Sequence, residues 1–200
     1  MWRLFIAILL PEEIKTRLAE AQRALQRRAP GGLARWTPLE QVHLTLCFLG
    51  DVPEESVPAI IEAMHRAALT AAPFDLRAAG LGCFPDARRP RVLWAGVAGD
   101  LAPLHHLQER IAAETAPWGQ REERTFHAHL TLGRIKDGAG REASRLGAAL
   151  MEEAGRDFGA WRVNTVTLLR SELSPAGAQH SVLAETILPP VGSKARSECE

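Results

Sequence analysis

The tetrapeptide His-Leu-Thr-Leu occurs twice, as His43-Leu44-Thr45-Leu46 and as His129-Leu130-Thr131-Leu132. Both copies lie in β-prone stretches. A strand has a side-chain period of two, so each His shares a face with its Thr while both Leu point the other way. The leucines suit a core, which leaves one imidazole and one hydroxyl on the opposite face of each copy. Two imidazoles and two hydroxyls brought together suit phosphoryl chemistry. A neutral imidazole takes a proton from water, and a protonated one gives a proton to a departing oxygen. Hydroxyls hydrogen-bond the non-bridging phosphate oxygens. One HxT match on a strand is weak evidence, but two identical copies in matched contexts are far less easily accidental. His127 and His129 also form an HxH pair of the kind that ligates metals, yet no third ligand is evident beside it. No metal is expected.

The elements that must position these groups read as follows. Residues 3–9 are apolar and β-prone. Pro11, Glu12 and Glu13 mark a helix start, and Ile14, Leu18, Ala21 and Leu25 recur at helical spacing through Arg28. Residues 41–48 alternate polar and apolar as a half-buried strand does, and Gly50-Asp51 predicts a turn. A helix is expected over 53–69, paired strands over 74–81 and 91–97, and a helix over 101–115. A strand over 126–135, a helix over 141–153, and strands over 161–169 and 181–188 joined by a Pro-Ala-Gly turn complete the order. Residues 191–200 read as a mobile polar tail. Several strands adjoin without a helix between them, which favours an α+β fold with antiparallel sheets over a doubly wound parallel one. The repeat predicts two related lobes within one domain over 1–190, each giving one strand to a shared groove.

The chain has 200 residues, 24 Lys plus Arg against 24 Asp plus Glu, and a formal net charge of zero. At 46% hydrophobic and 24% charged it is neither disordered nor collagen-like. Zero net charge argues against gripping long nucleic acid by its phosphates, yet leaves room for reading one phosphate locally. The cations are 21 Arg and only 3 Lys, and Tyr is absent. No apolar run approaches the ~20 residues of a membrane helix. The stretch from Leu4 to Leu10 reads as a buried strand rather than a signal peptide. Cys47, Cys83 and Cys199 are few, odd in number and widely spaced, so a cytoplasmic setting without disulfides is expected.

From about residue 2 to 188 the chain resembles the two-histidine phosphoesterase superfamily, and within it the bacterial RNA 2′,3′-cyclic phosphodiesterases, historically called 2′-5′ RNA ligases (LigT-like, ThpR). The resemblance is carried by Arg35-Trp36 followed by His43 to Gly50, by Phe84-Pro85 with Arg89 to Gly96, by Phe126 with His129 to Arg134, and by Leu168, Ser171 and Gly177. Ala128 stands where the family commonly has Pro, and His180 where it commonly has Tyr. The resemblance implies a bilobal fold around a V-shaped groove. It also implies hydrolysis of 2′,3′-cyclic phosphate ends of RNA or nucleotides to 2′-phosphates, with reversible 2′-5′ RNA ligation of the same ends beside it. His129 would activate water as general base, and His43 would protonate the leaving ribose oxygen as general acid. Thr45, Thr131 and Arg134 would hold the phosphate. Phe5 and Phe48 are candidates for stacking on the terminal base, and Trp94 and Trp161 read as core. No cofactor and no obligate protein partner are implied. The competing reading is a nucleotide- or RNA-end-binding module with little catalysis.

Overall fold

The computed structural model describes residues 1–119, 125–174 and 177–190. These residues form β1 (Trp2–Leu9), α1 (Glu12–Arg28), β2 (Ala34–Trp36), β3 (His43–Val52), α2 (Val57–Ala68), β4 (Phe74–Phe84), β5 (Val92–Gly99), α3 (Leu101–Thr115), β6 (His129–Ile135), α4 (Gly140–Glu152), β7 (Asp157–Val163), β8 (Thr165–Ser174) and β9 (Gly177–Ile187). The expected tail at 191–200 lies outside the described residues, as do Pro175 and Ala176 of the expected turn.

The class is α+β. The strands join one antiparallel sheet in the order β7-β4-β5-β6-β3-β1-β8-β9, with the short β2 also on β6. The two HLTL strands, β3 and β6, meet in the middle, and their register pairs Leu44 with Leu130. One half of the sheet is β3-β1-β8-β9 and the other is β6-β5-β4-β7. These halves are not consecutive stretches of chain. β1 and β3 pair within a half completed by β8 and β9 from the far end. Helix α1 follows β1 but packs against β7, and α3 follows β5 but packs against β3 and α2. The expected pair of lobes is thus interleaved, each half closing over a helix that the other half's strand leads into.

Local chemistry accounts for the main elements. Helix α1 starts after Pro11 with Glu12 and Glu13 in its first turn and ends with Arg27 and Arg28, charges that complement the helix dipole. Its Ile14, Leu18, Ala21 and Leu25 are buried. On the sheet, alternate residues Leu4, Ile6 and Ile8 enter the main core with Leu44, Leu46, Leu130 and Leu132. Phe5, Ala7 and Leu169 form a small separate cluster on the other face.

Three expectations change. The Gly50-Asp51 turn is instead part of β3, where Gly50 pairs with Leu4 and Asp51 with Arg3. A register shift there gives Gly50 a φ of 74°, which glycine adopts without steric cost, so the strand kinks and continues. The single strand expected over 161–169 is two, β7 and β8, separated at Asn164, whose carbonyl accepts the Leu188 N–H at 2.8 Å. Strand β2, three residues long, was too short to show a period, and the strand expected from 126 begins at His129. No helix among the described residues is long and apolar enough to cross a membrane.

Candidate active site

The sheet brings the two motifs side by side. Leu44 and Leu130 are 1% and 0% exposed, while His43, Thr45, His129 and Thr131 are half-buried on the opposite face. Strands β3 and β6 run antiparallel through the Leu44–Leu130 pair. That register turns His43 toward Thr131 and Thr45 toward His129, so each imidazole has the other motif's hydroxyl as its counterpart.

Both imidazoles are fixed in the same way. His43 Nδ1 lies 2.7 Å from the Gln41 carbonyl, and His129 Nδ1 lies 2.7 Å from the His127 carbonyl. A carbonyl only accepts, so each Nδ1 carries the hydrogen and Nε2 is the nitrogen that exchanges protons with a substrate. An aromatic ring supports each one. Phe5 stacks on His43 at 4.8 Å and 29° between planes, and Phe84 meets His129 edge-on at 5.1 Å and 89°. His180 of β9 adds a third imidazole, 5.2 Å from His43 and 4.9 Å from Phe5.

Burial, the largest cause, pushes the His43 imidazole down from 6.5 to about 4. The Gln41 carbonyl opposes that shift, and His180 and then His129 add to it by repelling a positive charge. Burial likewise holds His180 below its ordinary value. Because the folded pKa of His43 is the lower one, the unfolded chain takes up this proton first as pH falls. The stability it contributes is complete above about pH 6.5 and is lost as pH drops toward 4. An NMR titration of the free protein is expected to place the His43 midpoint near 4, and bound inorganic phosphate is expected to raise it. A midpoint at 6.5 or higher in the free protein would show that the ring is not desolvated as the structure has it.

Beyond the motifs, strict alternation would send Phe48 and Arg134 into the leucine face. A bulge in each strand prevents this. The β1–β3 register skips Leu46, and the β5–β6 register skips Leu132, the same position of each copy. Each skip resets the parity, so Leu49 and Ile135 enter the core while Phe48 and Arg134 emerge exposed on the face of the His and Thr. They are matched positions with different chemistry, an aromatic ring on one strand and a guanidinium on the other.

Two sequence expectations are corrected. Phe5 is 1% exposed and lies beneath His43, Phe48 and His180, so it supports the imidazole and presents no face to a base. Phe48, 41% exposed, keeps a free face. Trp94 is not in the main core but opposite Thr131 on β5, with Phe84 packed against it at 5.2 Å; Trp161 is in the core as expected. Sequence reasoning missed the supporting roles of Phe84 and His180. Phe84 follows Gly82 at a spacing of two on an apolar strand, a signal indistinguishable from core. In the loop between β4 and β5, Arg91 pairs with Asp137, and the backbone N–H groups of Arg88 and Arg89 bond the Asp86 carboxylate. Among the described residues no three His, Cys, Asp or Glu side chains group as ligands of one ion would.

The chain is similar in sequence and in fold to known proteins. The family model for LigT like Phosphoesterase matches residues 8–94 and 98–178. An RNA 2′,3′-cyclic phosphodiesterase of Thermus thermophilus is 36% identical over 193 residues, 90% of this chain and 87% of its own. One of Aquifex aeolicus is 32% identical over 158 residues, 78% of this chain and 82% of its own. The crystal structure of TT0787 of Thermus thermophilus superposes with a TM-score of 0.75 at 34% identity, covering 94% of this chain and 99% of that one. E. coli LigT complexed with 3′-AMP gives 0.74 at 25% identity, covering 94% and 98%. Two HxT strands joined at their leucines, in a chain matched from end to end of both motifs, place this protein in the LigT-like phosphoesterase family.

Proposed function

We propose that the protein hydrolyses the 2′,3′-cyclic phosphate ends of RNA, or of nucleotides, to 2′-phosphate ends. The observation that carries the reading is the matched pair of imidazoles on neighbouring strands, each with Nδ1 tied to a carbonyl and each beside the other motif's threonine. The relatives' activity as RNA 2′,3′-cyclic phosphodiesterases supports the substrate class, and the LigT complex with 3′-AMP supports a nucleotide in the groove.

In this scheme the cyclic phosphate sits between the two strands. His129 Nε2 takes a proton from water as its oxygen attacks phosphorus. The bond from phosphorus to the ribose 3′ oxygen breaks, and His43 gives that oxygen a proton. A 2′-phosphate and a 3′-hydroxyl result. Thr45 and Thr131 hydroxyls donate to the non-bridging oxygens, and Arg134 offsets the charge that builds on them. Phe48 stacks on the terminal base. The low pKa of His43 makes it neutral in the empty groove at pH 7. The proton it donates is therefore drawn on by the anionic substrate, which offsets the repulsion from His180 and His129. The imidazoles move both protons, so the scheme runs without a metal or other cofactor. An RNA 5′-hydroxyl in place of water gives 2′-5′ ligation by the same displacement, with the same bond from phosphorus to the 3′ oxygen broken and the same two proton transfers. The buried Cys83 is a thiol outside any disulfide, which supports a cytoplasmic setting.

Product analysis from an RNA ending in a 2′,3′-cyclic phosphate tests the reading. A 2′-phosphate is expected. A 3′-phosphate would reverse the leaving-group assignment, and an unchanged substrate would remove the activity.

A further inference from the structure

Most strand arginines of this protein face an acid. Arg77 pairs with Asp157, Arg162 with Asp75, and Arg170 with Glu172, and Arg3 lies across from Asp51. Arg35 and Arg134 break the pattern. They are directly opposite each other on β2 and β6, both exposed, and among the described residues neither has an acidic partner. Opposed residues of an antiparallel pair share a face, and like charges placed there repel.

The fold holds this unfavourable pair in place. Strand β2 occupies the edge of β6 that β3 leaves free beyond Leu130. Gly133 lets it come close, because a Cβ there would lie 3.1 Å from the Trp36 ring and 3.2 Å from the Arg35 carbonyl. The Leu132 carbonyl, turned out by the bulge, accepts the Thr37 N–H at 2.9 Å and the Gln22 Nε2 at 2.9 Å. Gln22 is 6% exposed and also donates to the Thr37 carbonyl at 2.7 Å. A buried amide from α1 thus locks the bulge that brings Arg134 to the groove face and the strand that carries Arg35.

Two guanidiniums set side by side, with no acid among the described residues, fit an anion between them. The pair begins three residues along β6 from Thr131, or roughly 10 Å at the rise of a strand. With five donors, the Arg134 guanidinium reaches back toward the reacting phosphate and also lies beside Arg35, which is set on the next strand and farther from it. We propose that Arg35 binds the phosphodiester on the 5′ side of the terminal nucleotide, sharing it with Arg134. The inference rests on the activity proposed above and deepens it: the preferred substrate is an RNA end with at least two phosphates, not a free cyclic mononucleotide.

The test compares a cyclic mononucleotide with a dinucleotide ending in a 2′,3′-cyclic phosphate. The wild type should show the higher kcat/KM on the dinucleotide. Arg35→Ala should reduce that preference about tenfold or more, through KM rather than kcat, and Arg35→Lys should restore part of it. The salt dependence of log KM on the dinucleotide should weaken by about 0.7 in Arg35→Ala, the slope expected for one lost single-strand phosphate contact. Equal losses on both substrates would place Arg35 at the reacting phosphate and overturn the inference, as would no loss on either. A wild type that turns over neither substrate would instead remove the activity, and the inference with it.

Discussion

His43→Ala and His129→Ala each lower kcat on a 2′,3′-cyclic mononucleotide by about 10²–10⁴-fold, the usual contribution of one positioned proton-transfer group. Both protons move in the same displacement, so the double variant is expected to fall little below the slower single one. That non-additivity is the sharper part of the prediction, because two groups that merely bind the phosphate would each cost a separate factor. The loss should appear in kcat more than in KM, since Thr45, Thr131 and Arg134 remain to hold the ground state. Both imidazoles are half-buried on the face opposite the leucine core, so thermal unfolding should shift little. The two sites differ in one respect. His43 covers Phe5 at 4.8 Å, so His43→Ala uncovers part of an otherwise buried ring, whereas His129 meets Phe84 only edge-on. His43→Asn is the companion variant that keeps a planar polar group over the phenyl face. A near-normal rate in either alanine variant would sink the assignment of that residue.

The motifs were legible because a strand's period of two is local: His43, Thr45, His129 and Thr131 declare their common face without any knowledge of the fold. Phe48 and Arg134 were not legible in the same way. Their faces depend on bulges at Leu46 and Leu132, which exist only because β1 and β5 pair past those residues. Phe5 shows the opposite limit. An apolar strand residue reads equally well as core or as a stacking face, and only the presence of His43 and His180 above it decides. The interleaving of the two halves was also out of reach, since α1 packing on β7 and α3 packing on β3 are long-range facts that no helical periodicity contains. The Arg excess becomes partly intelligible. Several of these residues satisfy acids across strands, and Arg35 and Arg134 stand out only once their register is known.

Leu130→Ala carries the largest expected cost in stability, because Leu130 sits where the two halves of the sheet are joined. It is 0% exposed and pairs with Leu44, 1% exposed, in the register that links β3 to β6. Buried Leu→Ala changes cost about 2–5 kcal/mol through lost transfer energy and the cavity left behind. For a chain of this size that corresponds to a fall in Tm of roughly 5–20 °C. Leu44→Ala should behave similarly, and the double variant should cost less than the two together, because the neighbours share one cavity. Activity should fall as well, although no group that touches substrate has been removed. The two imidazoles belong to different halves, and a misplacement of about 1 Å is enough to cost on the order of 10²-fold in rate. The two classes of variant therefore separate the roles of alternate residues on one strand. His129→Ala loses rate with Tm nearly intact, while Leu130→Ala loses Tm and loses rate only through geometry. A Leu130→Ala protein that melts within a degree or two of wild type would show that the halves are held together elsewhere, through the swapped helices α1 and α3 rather than through the leucines behind the site.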